Sequence, residues 1–414
     1  MSIRASNHLG AHGGALRYYE PSYRYLPSVW DAFGELRLLE LPIGYNNAVC
    51  WAINDFGEAA GEESLQPSLF WDASGTPHQL PSLGGFDTVE VNGMNNAGQV
   101  VGSGTLAIRT ESHAYVWSLD TGMIDLGDLN PDEEVTSVAY DINDDGLIVG
   151  RSHNDPKLAS RAVCWEDGVI RELPRGSAVP DRATSVNEAR VILGFTGSST
   201  GPALCIWPSP DDDPILLLDP YQSTTFSLSA VAINNNNIVI GDGGTNRSTA
   251  LIWYDWDKQP VKLTDLLPWG SRWTLRASYS LNDHNQIGGL AFHNGRDTGF
   301  VATPVYPSIV MSEASPGIAG EMNIFQISNL RPNERVHLVA GKYGGGALIP
   351  GCSMLQNVLQ IDHPKTVTTT TADALGNATI EGFVPAYLRG QTRVLQAVTP
   401  GTCEISNLVV QTFN

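Results

Sequence analysis

The sequence predicts an all-β protein, a six-bladed β-propeller followed by an immunoglobulin-like β-sandwich. Three observations carry this reading. A tight-turn motif recurs six times, a Trp-ending strand recurs in register with it, and near residue 304 the period stops while the β pattern continues. A recurrence of 40 to 50 residues is the size of one propeller blade.

The turn motif is clearest in Ala52-Ile-Asn-Asp-Phe-Gly-Glu-Ala-Ala-Gly61, Gly93-Met-Asn-Asn-Ala-Gly-Gln-Val-Val-Gly102 and Asp141-Ile-Asn-Asp-Asp-Gly-Leu-Ile-Val-Gly150. Three further copies are centred on Asn187, Asn234 and Asn282. The apolar anchors Ile53, Met94, Ile142, Val186, Ile233 and Leu281 stand 41, 48, 44, 47 and 48 residues apart. Each copy reads as strand, turn, strand. Asn caps the turn through its side chain, and a Gly or Asn three residues later supplies the positive φ.

Trp30, Trp71, Trp117, Trp165, Trp207 and Trp253 each close a short apolar run, and a Leu-rich strand follows. That makes four strands per period. A fourth strand near Leu36–Leu41 lacks first and second partners upstream, and a third strand at Gly299–Thr303 lacks a fourth. Pairing these leftovers in one blade would close a ring of six, leaving residues 1–27 as an N-terminal arm, 28–304 as the propeller and 305–414 as the sandwich. Along the first strands, small residues such as Cys50, Ala52, Ala139, Ala183 and Ala230 alternate with Trp51, Tyr140, Val231 and Tyr279. Such alternation suits blades that interlock face to face near a crowded axis.

The repeated Ile-Asn-x-x-Gly-x-Val-Val-Gly stretch, His113-Ala-Tyr-Val-Trp117 and Ile124-Asp-Leu-Gly-Asp-Leu129 resemble the bacterial extracellular-repeat family named for its His-Ala-Phe (HAF) triplet. The resemblance spans residues 29–304. Only the copy at His113 keeps the His, and Pro67, Arg161, Ala203, Thr249 and Thr298 replace it elsewhere. Members are mostly secreted proteins without an assigned chemistry. The resemblance therefore implies architecture and an extracellular or cell-surface location far more than an activity.

In residues 308–414, alternating Val, Thr and Leu with turns at Ser315-Pro-Gly317, Asn333, Gly344-Gly-Gly346 and Gly376-Asn377 read as a sandwich of seven or eight strands. The stretches Thr371–Thr379, Leu395-Gln-Ala-Val and Cys403–Leu408 look like C-terminal modules of secreted bacterial proteins. Cys352 and Cys403, the lone pair in this domain, are expected to form a disulfide. Cys50, Cys164 and Cys205 sit inside strand patterns and read as small core residues; their spacing fits no zinc motif.

The formal charge of −20 makes nucleic acid or an anionic membrane surface an unfavourable partner. No run of about 18 apolar residues exists, so no helical membrane span is expected. The first 14 residues show no signal-peptide core. Neither a cofactor nor a metal is expected. Asp141-x-Asn143-x-Asp145-Gly146 opens like a calcium loop, yet Val149 and Ser152 occupy its late ligand positions, so a hairpin turn is the expectation. His284 and His293 read as solvated or turn-capping, and Asp211-Asp-Asp213 as a solvated loop.

The expected ligand site lies where loops lead into the first strands. Tyr45, Phe86, Phe226 and Trp273 precede their anchors by seven or eight residues, with Arg182 and Arg276 close by. Aromatic planes and guanidiniums on one rim suit stacking on sugars or gripping carboxylated ones. Trp269 shares the Trp273 loop, and Tyr18, Tyr19, Tyr23 and Tyr25 populate the arm. No nucleophile elbow, zinc-protease or phosphate-loop motif occurs. The expected function is thus non-catalytic, extracellular binding or scaffolding, with a glycan or surface protein as partner. The alternative is a polysaccharide lyase or glycoside hydrolase at the channel mouth, with Tyr140 or Tyr279 as base beside an Arg. A third is a surface-layer component joined through its sandwiches.

Overall fold

The computed structural model describes the chain apart from residues 1, 20–22, 64–65, 85–87, 106–111, 134, 156–158, 176–180, 199–200, 219–228, 245–248, 268–270, 305–308, 332, 349–357 and 402–403. It divides into two compact units, residues 1–266 with 273–304, and residues 267–272 with 305–414. Among the described residues no helix is long and apolar enough to cross a membrane.

Among the described residues the first unit holds seven antiparallel sheets, blades 1 to 7, at residues 2–38, 49–79, 88–127, 137–172, 182–216, 229–262 and 273–302. Blades 1 to 6 have four strands in sequence order, and blade 7 has three. This corrects the six-bladed expectation. Residues 1–27 are no arm, because Ser2–Ser6, His12–Tyr19 and most of Tyr23–Trp30 are the inner three strands of blade 1. Leu36–Leu38 pairs with Ser28, Val29 and Trp30 in that same blade, so it does not complete the last one. Closure instead comes from packing: Ser2–Ser6 touches all three strands of blade 7 and the first strand of blade 2.

The cores lie between blades. One cluster joins Val29 and Leu39 of blade 1 to Cys50, Leu69 and Trp71 of blade 2, and comparable clusters follow as far as the junction of blades 5 and 6. The recurrent Trp fills these junctions. Trp71, Trp165, Trp207 and Trp253 are fully buried, and each indole N–H donates to a backbone oxygen in or just after the preceding blade's outer strand: Glu40, Leu126, Pro174 and Leu218 respectively. A large apolar plate with one satisfied polar handle explains why Trp recurs there. Cys50, Cys164 and Cys205 are buried free thiols, and burial pushes the Cys50 thiol up to about 12.

The second unit has a three-stranded sheet (Val310–Met311, Met322–Ser328, Ala378–Phe383) and a five-stranded sheet (Arg335–Leu348, Val358–Thr371, Thr392–Thr399, Glu404–Ile405, Val409–Thr412). Phe325, Ile327 and Ile380 of the first share a core with Val336, Leu338, Leu395 and Ala397 of the second. Strict period-two burial along Met322–Ser328 is what a strand with one face on such a core requires. Cys352 and Cys403 lie outside the described residues.

Candidate functional site in the propeller channel

Each first strand carries a β-bulge at the same place. Cys50 faces Gly61 and Ala52 faces Ala60, which leaves Trp51 as the extra residue. The same slip leaves Arg4, Asn92, Tyr140, Thr184, Val231 and Tyr279 unpaired in the other blades. The bulge accounts for the Gly that ends the repeat motif. A Cβ on Gly61 would stand 2.0 Å from the Val49 carbonyl oxygen, and one on Gly150 2.0 Å from that of Val138. No larger residue fits.

A bulge re-aims the side chain it extrudes. All seven extruded residues line one cavity of about 230 Å³, bounded by the first strands and turns of all seven blades. The sequence pattern singled out Trp51, Tyr140, Val231 and Tyr279 as bulky but assigned them to interlocking of the blades. Arg4, Asn92 and Thr184 carried no comparable signal.

Two rings of hydrogen bonds frame this cavity. The first is built from the motif asparagines. Asn7 Nδ2 donates to the Asn54 backbone oxygen at 3.0 Å, Asn54 to that of Asn95 at 3.3 Å, and Asn95 to that of Asn143 at 3.1 Å. Asn143 reaches Asn187 at 3.2 Å, Asn187 reaches Asn234 at 3.0 Å, and Asn234 reaches Asn282 at 2.9 Å. Meanwhile Asn143 Oδ1 accepts the Leu147 N–H within its own turn. Asp could accept but not donate, so the position calls for Asn.

The next residue in each turn forms a second ring, a collar of His8, Asp55, Asn96, Asp144, Glu188, Asn235 and Asp283. In six of the seven junctions a collar side chain accepts the backbone N–H of the previous blade's collar residue, as when Asn96 N–H donates to Asp144 Oδ1 at 2.7 Å. The seventh is an ion pair, His8 Nδ1 to Asp283 Oδ2 at 2.6 Å. That contact raises His8 to about 9, chiefly through the hydrogen bond to Asp283 and against the lowering effect of burial.

Within the cavity Arg4 is the only cation at the bulge position. Its guanidinium lies 4.8 Å from the Trp51 ring centroid and 4.3 Å from that of Tyr279, the bulge residues of the two flanking blades. Arg4 Nε and Trp51 Nε1 are buried without hydrogen-bond partners among the described residues. Burial pushes Asp141 up to about 6, although Ile142 N, Ser185 Oγ and Val186 N all donate to it. With its oxygens so engaged, Asp141 ties blade 4 to the first strand of blade 5. Among the described residues no group of three His, Cys, Asp or Glu side chains is placed to hold a metal ion.

Ser6 Oγ lies 2.7 Å from His12 Nδ1 and 2.7 Å from Ser280 Oγ. Burial lowers His12 to about 4, which makes it a weak base, and no carboxylate pairs with it among the described residues. The arrangement is a hydrogen-bonded junction between blades 1 and 7 and lacks the third member that would activate Ser6.

The described residues expected on the loop rim are engaged away from the channel. Tyr45 is buried, and its hydroxyl donates to the Pro67 oxygen at 2.8 Å. The Arg182 guanidinium covers Phe195. Trp273 stacks on His293 with centroids 4.1 Å apart, and Arg276 pairs with Asp297 at 2.9 Å while covering Phe292. None of these four lines the channel cavity. Phe86, Phe226 and Trp269 lie outside the described residues. Elsewhere, His113 pairs with Asp125 at 3.0 Å and Asp211 with Arg171 at 2.8 Å.

The chain is a β-propeller protein, and the solved structures it is similar to are propellers of varied activity. A puromycin hydrolase S511A mutant complexed with PGG superposes with a TM-score of 0.50 at 12% identity, covering 80% of this chain and 61% of that one. Streptogramin B lyase gives 0.42 at 10% identity, and YCF48 bound to D1 peptide gives 0.42 at 12%, each covering 73% of this chain and 93% of the other. At these identities the likeness concerns fold alone. No protein-family profile matches the chain, and no curated protein does.

Proposed function

We propose that this chain is a non-catalytic extracellular binding protein that takes its ligand in the propeller channel, among the bulge residues, and uses its sandwich as spacer or attachment. The observation that carries the reading is the convergence of Arg4, Trp51, Tyr140 and Tyr279 in one cavity, with two buried donors unengaged. Aromatic faces with convergent polar groups are what small-ligand sites use. The HAF-repeat resemblance supports the extracellular location, and the two-sheet second unit is consistent with an immunoglobulin-like module. A glycan end is the ligand class that matches stacking faces and hydrogen-bond donors together.

A lyase is the second reading, favoured by the two phenols sharing a cavity with a cation. A glycan array probed with wild type and Trp51→Ala separates the readings. Binding without product release, lost in Trp51→Ala, is the expected result. Release of shortened, unsaturated products would move the assignment to the lyase, and binding unchanged in Trp51→Ala would remove the channel from it.

A further inference from the structure

We infer that the Arg4 end of the cavity is a carboxylate site for a small monoanionic ligand, an inference that rests on the channel reading above. Arg4 makes no ion pair among the described residues, and its guanidinium lines the partly buried cavity, where it is the group that attracts an anion. Arg4 and Trp51, from adjacent blades, line the same space, and Arg4 Nε and Trp51 Nε1 are buried behind it without partners among the described residues. The rings of Trp51 and Tyr279 hold the guanidinium from two sides, which fixes the direction of its fork before any ligand arrives.

Size and charge narrow the class. A cavity of about 230 Å³ is smaller than the roughly 300–1,000 Å³ of drug-sized pockets, so it admits a small acid or a single residue at a chain end. The collar presents Asp55, Asp144, Glu188 and Asp283 against the single cation His8. Four carboxylates around the same cavity repel a dianion more strongly than a monoanion, which favours a carboxylate over a phosphate.

The test uses the full chain labelled with ¹⁵N-arginine and ¹⁵N-tryptophan, reading the Arg4 Nε–H and Trp51 Nε1–H resonances. Acetate, D-galacturonate, glucose and inorganic phosphate are titrated at constant ionic strength, and Arg4→Met and Trp51→Phe identify the two signals. We expect saturable shifts of both signals with acetate and galacturonate, at least tenfold weaker binding of glucose and phosphate, and partial retention in Arg4→Lys. Glucose matching galacturonate would overturn the carboxylate assignment while leaving the channel as a binding site. Phosphate binding as tightly as acetate would overturn the charge argument. No shift at either signal with any probe would overturn both this inference and the channel reading.

Discussion

The two ends of the propeller's first strands are built on different rules. At the turn end, the Asn of blades 1 to 6 reaches the next blade and the collar residue of blades 2 to 7 accepts from the previous one, so the blades are stitched to each other. At the loop end, Arg182, Trp273 and Arg276 contact rings or carboxylates of their own blades, and Tyr45 bonds to the Pro67 oxygen within the core between blades 1 and 2. The turn end holds a shared frame around positions that vary freely, from Arg4 and Trp51 to Thr184 and Val231. A constant scaffold with one variable position per blade is the arrangement in which a site is built without disturbing the fold. Aromatic and basic residues near a channel do not by themselves define a rim. What matters is whether their partners lie across blades or within one.

The largest effect that would sharpen this contrast comes from the asparagine ring. Asn143→Ala removes the acceptor of the Leu147 N–H and the donor to the Asn187 oxygen, both buried. The expected loss is about 2–4 kcal/mol, from two buried groups left unsatisfied. Arg276→Ala removes an ion pair whose side chains are 41% and 58% exposed, and is expected to cost under about 1 kcal/mol. Chemical denaturation of the two variants would break the comparison if the order were reversed.

A smaller effect concerns ring closure. His8 is raised from 6.5 to about 9 in the folded protein by Asp283, with Asp55 and Glu188 adding to the attraction. A raised folded value contributes stability that is fully present below pH 6.5 and lost as pH climbs through 9. Because the His8 side chain is 41% exposed, solvent screens the pair and the contribution is under about 1 kcal/mol. Thermal melts between pH 6.5 and 9.5 should show a shallow decline that His8→Gln flattens. A variant declining as steeply as wild type would remove His8 from the closure.

The turn motif made six blades legible, because their anchors are apolar and their period is regular. Blade 1 escaped notice because Ser6 stands where the others have Ile, Met, Val or Leu, and His12-Gly13 replaces the apolar pair of the second strand. Asn7, Gly10 and Gly14 kept the pattern, and those three were the surviving signal. The channel site was hidden for a different reason. Period-two alternation describes a regular strand, whereas the bulge inserts one residue and turns a position expected between blades toward the axis. The clue was the motif's terminal Gly, which is needed only because a carbonyl approaches it.

The most direct measurement is a crystal structure of the full chain grown with D-galacturonate, since it asks where the ligand sits. The account predicts the sugar in the channel, its carboxylate against the Arg4 guanidinium and its ring against Trp51 or Tyr279. Density for the sugar over Trp273 at the loop end, with the channel free of it, would contradict the account.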